Sequence, residues 1–224
     1  MNIKENVLLQ PSTENNRNTS KYTPRIKTLK ESKYSSLPPY AVNQVNTIIK
    51  NNVKLTKNSY IIDATAHVGF DTINFVTSFG VKCFSVEVNK EAHELLCSNI
   101  LELGLQDSVK TVHMNCLDFI DTVALCVDFI YFDPPWGGPD YWKQKKMMLY
   151  LEYGKNKKIP MYDVINNVFK KNIAKQVLFK TPSNFDMSIF SKKFKGTFTS
   201  HKVMKPIKKG KKYAHISYYL LVCY

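Results

Sequence analysis

The sequence predicts an α/β protein built on a seven-stranded, mostly parallel sheet with an antiparallel last strand and helices on both faces. Three observations lead there. From residue 39 onward, short apolar runs rich in Val, Ile, Phe and Tyr alternate with amphipathic stretches of helical period. Successive apolar runs end at or just before an acid: Asp63, Glu87 and then Asp118. The last two β-rich stretches, 196–204 and 213–224, are joined by the basic run KPIKKGKK, which is too short for a crossover helix, so the final strand must run back.

The elements follow in order. Residues 1–33, with QPSTENNRNTSKYTPR, are polar and lack any apolar period, so they read as a flexible basic arm; the folded domain is expected over 34–224. Pro38 and Pro39 precede AVNQVNTIIKNN, whose Val42, Val45, Ile48 and Ile49 share one helical face. YIIDA (60–64) is a short strand, DTINFVTSFG (71–80) a helix stopped by Gly80, and VKCFSVEV (81–88) the next strand. KEAHELLCSNILELG (90–104) is a helix that buries Ala92, Leu95, Leu96, Ile100 and Leu103 and ends at Gly104. VKTVHM (109–114) and VDFIYFD (127–133) are strands. A Lys-rich insertion then leads to a helix over 161–173 and a strand over 175–181.

Composition narrows the class. The net charge of +14 is unevenly spread: residues 36–140 carry six Lys/Arg against twelve Asp/Glu, whereas residues 141–224 carry nineteen against three. An acidic middle followed by a basic C-terminal third fits a catalytic core whose rim meets a polyanion such as nucleic acid. No apolar run approaches the roughly 20 residues of a membrane span, and MNIKENVLLQ has no secretory core, so a soluble, intracellular protein of the cytoplasm or nucleus is expected. Five cysteines without CxxC spacing and five histidines without a ligand pattern predict buried thiols, no disulfides and no metal.

In an open α/β sheet, ligands sit at the carboxyl ends of the strands. The first strand runs out through Asp63, Thr65, His67, Gly69, Asp71 and Thr72, an acid followed by a small-residue loop and a helix start. The second ends at Glu87 and Val88, where a carboxylate can accept from a ribose diol. Asp118 and Phe119 follow the third, placed for an adenine amino group and the face of its ring. Three acids at three strand ends outline a nucleoside pocket. The loop lacks GxGxxG, so a diphosphate cradle is not supported; a nucleoside cofactor without diphosphate, S-adenosylmethionine, fits.

The fourth strand delivers Asp133-Pro134-Pro135-Trp136 to the same edge. Methyl transfer to an exocyclic amine needs no acid for the leaving sulfide, but the amine lone pair is delocalised into its ring. A carboxylate and a proline carbonyl accepting the amine hydrogens favour a pyramidal nitrogen and aim its lone pair. Trp136 can stack on the base, and a cationic base adds a cation–π term. Prolines have no N–H to compete for those acceptors.

The segment Asp63–Thr72, VEVNKEA, NCLDF and above all DPPWGGPDY resemble the trimethylguanosine synthase family, the RNA cap guanine-N2 methyltransferases, over about residues 38–224. The resemblance implies a class I, Rossmann-like, S-adenosylmethionine-dependent methyltransferase acting on the 7-methylguanosine cap of RNA; separately, a monomer is expected. The resemblance also implies catalysis by Asp133, Pro134, Pro135 and Trp136, and a cofactor pocket of Asp63, Thr65, His67, Gly69, Asp71, Thr72, Glu87, Val88, Asp118, Phe119 and Asp133. It further implies cap contacts from Trp136, Gly137, Gly138, Asp140, Tyr141, Lys180 and Asn184, with the lysines of 143–158 over the substrate loop. Two positions depart from the family pattern: His67 stands where the loop has its first glycine, and Asp133 stands where serine is common. DPPW also occurs in adenine-N6 methyltransferases, so that activity is the alternative, as is a cap-binding module whose loop has decayed at His67.

Overall fold

The computed structural model describes residues 4–7, 25–29, 39–138, 140–155, 157–206 and 215–224. Helix α1 (Pro39–Asn52) leads into β3 (Tyr60–Asp63), α2 (Phe70–Phe79), β4 (Lys82–Glu87), α3 (Lys90–Glu102), β5 (Val109–His113), α4 (Cys116–Thr122) and β6 (Val127–Phe132). A hairpin of β7 (Tyr150–Tyr153) and β8 (Lys157–Pro160) precedes α5 (Met161–Lys170), β9 (Ala174–Pro182), α6 (Met187–Lys193), β10 (Phe198–Met204) and β11 (Ile216–Cys223). Ahead of all these, β1 (Lys4–Val7) pairs antiparallel with β2 (Arg25–Thr28).

Seven strands form the main sheet in the order β10-β11-β9-β6-β3-β4-β5. The strands on either side of β3 and β6 pair in parallel, whereas β11 is antiparallel to both β9 and β10. The last strand therefore runs backwards as the sequence predicts. It does so by inserting between β9 and β10 rather than lying at the edge. The central parallel strands β3 and β6 are nearly continuous apolar runs, as in VDFIYF, because helices cover both faces.

Two cores result. Against one face, α1, α2 and α3 bury Ile49, Phe75 and Leu96 onto Phe129 and Tyr131; Phe75 meets both rings edge-on at 5.6 and 5.0 Å. Against the other face, α4, α5 and α6 bury Ile120, Ile165 and Phe190 onto Ile130 and Phe179. Each such side chain contributes about 1.5–3 kcal/mol by leaving water. Cys83, Cys116 and Cys223 are buried within these cores, but Cys126 is exposed.

The topology fixes where a ligand can enter. The chain crosses from β3 to β4 on one side and reaches β6 on the other, so the connections leaving the carboxyl ends of β3 and β6 diverge. A crevice opens between Asp63 and the residues after Phe132, at the switch point of the sheet.

Four segments differ from the sequence reading. Residues 116–122, to which the sequence reading assigned no element, form α4, capped by the Asn115 side chain, which accepts from Leu117 N–H. The Lys-rich insertion contains the β7–β8 hairpin, and Asn115 Nδ2 donates to Glu152 O at 3.0 Å, so Lys155, Lys157 and Lys158 are carried on an element anchored to α4. Helix α6 starts on Asp186, whose carboxylate accepts from Ser188 and Ile189 N–H. Within the stretch read as a flexible arm, Ile26 and Leu29 are buried. Asn99 of α3 holds that segment: its Oδ1 accepts from Lys27 N–H at 2.8 Å, and its Nδ2 donates to Lys27 O and to Val68 O. Most of the KPIKKGKK link lies outside the described residues. No helix among the described residues is long and apolar enough to cross a membrane.

Asn99→Ala removes three bonds made by a residue only 1% exposed. We expect a loss of about 1–3 kcal/mol in urea unfolding and faster tryptic cleavage after Arg25 and Lys27. Unchanged cleavage would show that the segment is held some other way.

Candidate active site

The crevice is floored by the loop after β3, which is stitched to its neighbouring strands. Ala64 N–H donates to Tyr131 O and Ala66 N–H to Val86 O, both at 3.0 Å. His67 N–H donates to Glu87 Oε2 at 2.7 Å, and Asp133 N–H to Thr65 Oγ1 at 2.7 Å. His67 adopts φ +50, a left-handed backbone that costs an ordinary residue about 1–2 kcal/mol. Gly69 takes φ +99, a conformation strained for any residue with a side chain, and a Cβ there would lie 2.7 Å from Leu96 Cδ1 and displace it.

Asp63 is wholly buried rather than presented to a ligand. Its Oδ2 accepts from the Thr72 hydroxyl at 2.6 Å and its Oδ1 from Thr65 N–H at 3.3 Å, and the same Thr72 hydroxyl touches Ser85 Oγ. Burial, with Asp71 and Asp133 nearby, pushes the Asp63 carboxyl up to about 7. Asp71, in the first turn of α2, is pushed up to about 6 by burial, although Lys180 pulls it down.

Glu87 accepts from Asn89 N–H through Oε1 and from His67 N–H through Oε2. A carboxylate offers about four acceptor sites, so two remain for a diol, and Val88 beside it is exposed. Asp118 is exposed on the first turn of α4. Phe119 is not available to cover an adenine ring as the sequence suggested. The turn of α4 swings it onto the sheet, where it is 9% exposed and its ring lies 5.9 Å from that of Phe84.

At the far wall, Lys180 of β9 reaches Asp133. Its ammonium lies 2.6 Å from Asp133 Oδ2, with side-chain exposures of only 6% and 14%. Burial opposes the ammonium, but Asp133 and Asp71 hold it above the usual lysine range, so it stays charged. Among the described residues nothing donates to Asp133 Oδ1, and no N–H reaches the Pro134 carbonyl. Lys180 is therefore a buried brace for Asp133 rather than a free cation at the rim.

Trp136 is half-buried, packing against both cores through its inner side. Tyr141 meets its ring edge-on at 5.1 Å, Tyr218 of β11 lies at 6.4 Å, and the Lys180 ammonium sits 5.8 Å from its centroid and 5.1 Å from that of Tyr218. Gly137 and Gly138 at φ +83 and +86 carry the loop past it in the open. Asp140 pairs with Lys143 at 3.0 Å. Asn184 acts as a clamp: its Nδ2 donates to Tyr141 O and Gln144 O, which fixes the segment that carries Tyr141.

Sequence reasoning missed Tyr218 and Thr181. The signal was the pairing of β11 with β9, which sets Tyr218 opposite Pro182 beside the crevice, and that pairing is visible only once the strand order is known. Among the described residues, Asp71 Oδ1, Trp136 Nε1, Thr181 Oγ1, Asn184 Oδ1 and Tyr218 OH are buried without a hydrogen-bond partner, and three of them, on Asp71, Trp136 and Tyr218, belong to residues that surround Lys180. Buried polar atoms are normally paired, so their gathering marks a ligand site.

Residues 58–220 match the family model described as RNA cap guanine-N2 methyltransferase. The chain belongs to this family. It is a class I methyltransferase whose cofactor is S-adenosylmethionine. An uncharacterized protein of Acanthamoeba polyphaga mimivirus, L320, is 29% identical over 143 residues, which is 63% of this methyltransferase and 53% of L320. An uncharacterized RNA methyltransferase of Prochlorococcus marinus is 30% identical over 100 residues, 45% of this chain and 23% of that protein. The chain thus spans about half the length of one relative and about a quarter of the other. An S-adenosylmethionine-dependent methyltransferase from Agrobacterium tumefaciens superposes with a TM-score of 0.60 at 10% identity, covering 84% of this chain and 63% of its own, and shares the fold.

The residues present fit a cationic cofactor. Asp71 and Asp133 share one buried lysine, Lys180, and Asp71 keeps an oxygen without a hydrogen-bond partner among the described residues, so this wall has an acceptor to offer a cation. A sulfonium and an ammonium supply it.

A carboxyl held above its unfolded value stabilises the fold at pH below that value, and the contribution is lost as pH rises through the folded value. For Asp63 the window runs from about 4 to about 7. The stability of Asp63→Asn relative to wild type should therefore rise between pH 4.5 and 8 in urea unfolding of the cofactor-free protein. A pH-independent difference would contradict the buried, raised carboxyl.

Proposed function

We propose that the protein transfers a methyl group from S-adenosylmethionine to the N2 amine of a 7-methylguanosine RNA cap. What supports this reading is that one buried ammonium, Lys180, holds Asp133 by a single carboxylate oxygen and lies 5.8 Å from the centroid of the Trp136 ring.

Each residue has a task in that reading. Trp136 stacks on the base, and Tyr141, clamped by Asn184, holds the indole at its angle. Lys180 fixes Asp133 through Oδ2 and leaves Oδ1 to accept one hydrogen of the exocyclic amine; the Pro134 carbonyl accepts the other. Two acceptors in fixed positions favour a pyramidal nitrogen with its lone pair directed inward. Glu87 and the exposed Asp118 would hold the ribose and adenine of the cofactor, with the Asp71 carboxylate near its ammonium. When bound, the cofactor supplies an electrophilic methyl on a sulfonium. The nitrogen's proton can pass to water after the carbon–nitrogen bond forms.

The family membership favours guanine N2 over adenine N6. The intact loop favours an enzyme over a decayed cap-binding module, because His67 keeps a left-handed backbone and its N–H stays on Glu87.

Incubation with S-adenosylmethionine and 7-methylguanosine diphosphate should add mass at the base, and an adenine-containing oligonucleotide should stay unmodified; the reverse pattern contradicts the assignment. Trp136→Ala should weaken cap-analogue binding by about 1–3 kcal/mol while S-adenosylhomocysteine affinity in calorimetry changes little. Asp133→Asn should lower kcat by about 100-fold or more with cap affinity nearly kept, and an equal loss in both quantities would remove Asp133 from the chemistry.

A further inference from the structure

Beside the cap lip, the chain presents a second tryptophan in a very different setting. Trp142 lies in the 3-10 turn Tyr141–Lys143 and is 65% exposed, the second most exposed of the large apolar side chains among the described residues. A bare indole is costly to leave in water. It is also one residue past Tyr141, whose ring touches Trp136 at 5.1 Å, and Asn184 fixes the turn through the carbonyls of Tyr141 and Gln144. The exposed ring is thus held on a rigid mount next to the base platform.

Its surroundings are basic. The segment reads YWKQKK, with Lys143, Lys145 and Lys146 following the indole. The Lys143 ammonium lies 5.6 Å from the Trp142 ring and 3.0 Å from Asp140, and Lys146 is tethered to Asp186 at 3.6 Å. Lys145 is exposed and pairs with no carboxylate among the described residues. An exposed aromatic face flanked by cations is the combination that takes single-stranded nucleic acid, with stacking for the base and ammonium groups for the phosphates.

We propose that Trp142 is the stacking platform for a nucleotide of the RNA body, with Lys145 on its backbone phosphate, so that the protein engages the transcript beyond the cap. The proposal rests on the reading of Trp136 as the cap platform only for the order of the two sites. A base on Trp136 and a base on Trp142 place the strand across the Gly137–Tyr141 loop and toward the basic C-terminal third. The substrate class is then a capped single strand, and a free cap dinucleotide uses only half of the surface.

Fluorescence anisotropy with three labelled probes tests this: a short single-stranded RNA carrying a 7-methylguanosine cap, the same RNA with a 5′-triphosphate, and 7-methylguanosine diphosphate. Trp142→Ala should weaken both RNAs about tenfold and change the diphosphate less than twofold, with Tm unchanged because the side chain is exposed. Lys145→Gln should reduce the salt slope of RNA binding by about one. Parallel loss of the diphosphate would make Trp142 a wall of the cap pocket, and no loss on any probe would make it a bystander; either result overturns the proposal. If the wild-type protein binds capped and uncapped RNA equally, the cap reading fails, while the Trp142→Ala loss on both RNAs still upholds the platform.

Discussion

The structure turns on a buried ion pair, Lys180 with Asp133, set among carboxylates that outnumber it. Taking a lysine and an aspartate out of water costs several kcal/mol per ion, and close contact returns that only where the geometry is good. Here the contact is 2.6 Å and both groups are nearly enclosed. Around them Asp63 and Asp71 hold carboxyls pushed up to about 7 and about 6, with Tyr131 and Tyr218 hydroxyls also raised by burial. The crevice is thus poorly balanced by itself. A cation entering beside these carboxyls would offset their repulsion and would couple the stability of this wall to its binding.

In the proposed reaction the same pair would orient the chemistry. Lys180 comes from β9 and Asp133 from the end of β6, neighbouring parallel strands in register from Val127↔Ala174 to Phe132↔Phe179. Side chains at corresponding strand ends project into one space, so the sheet itself sets the distance. With Oδ2 held, Oδ1 has no donor among the described residues. Rigidity is added by Thr65, which ties the Asp133 amide to the loop after β3, and by Asn184, which ties the loop after Trp136 to β9.

Much of this was legible in the sequence. The central strands β3 and β6 and the second halves of β9 and β11 are the apolar runs that burial on both faces requires, and the acids at 63, 87 and 133 fall at the carboxyl ends of parallel strands. The unread parts have physical causes. Helices α4 and α6 are seven residues long, too short for a hydrophobic period to declare itself. The β7–β8 hairpin has mostly exposed side chains, with only Leu151 and Ile159 packed inward among its apolar residues. Lys180 reads as a rim cation because lysines are rarely buried; its place depends on an aspartate 47 positions earlier. Phe119 reads as a pocket aromatic because nothing local reveals that a helical turn carries it onto Phe84. Long-range pairing decides these positions, and single-sequence pattern does not contain it.

The account comes down to one geometry: a purine lying on Trp136 with its exocyclic nitrogen on the free oxygen of Asp133. A crystal structure with S-adenosylhomocysteine and 7-methylguanosine diphosphate measures it directly. The expected result is the base stacked on the indole, with N2 within about 3.2 Å of Asp133 Oδ1 while Lys180 keeps Oδ2. A base bound away from the indole, or Lys180 swung out with Asp133 turned into the protein, would contradict it.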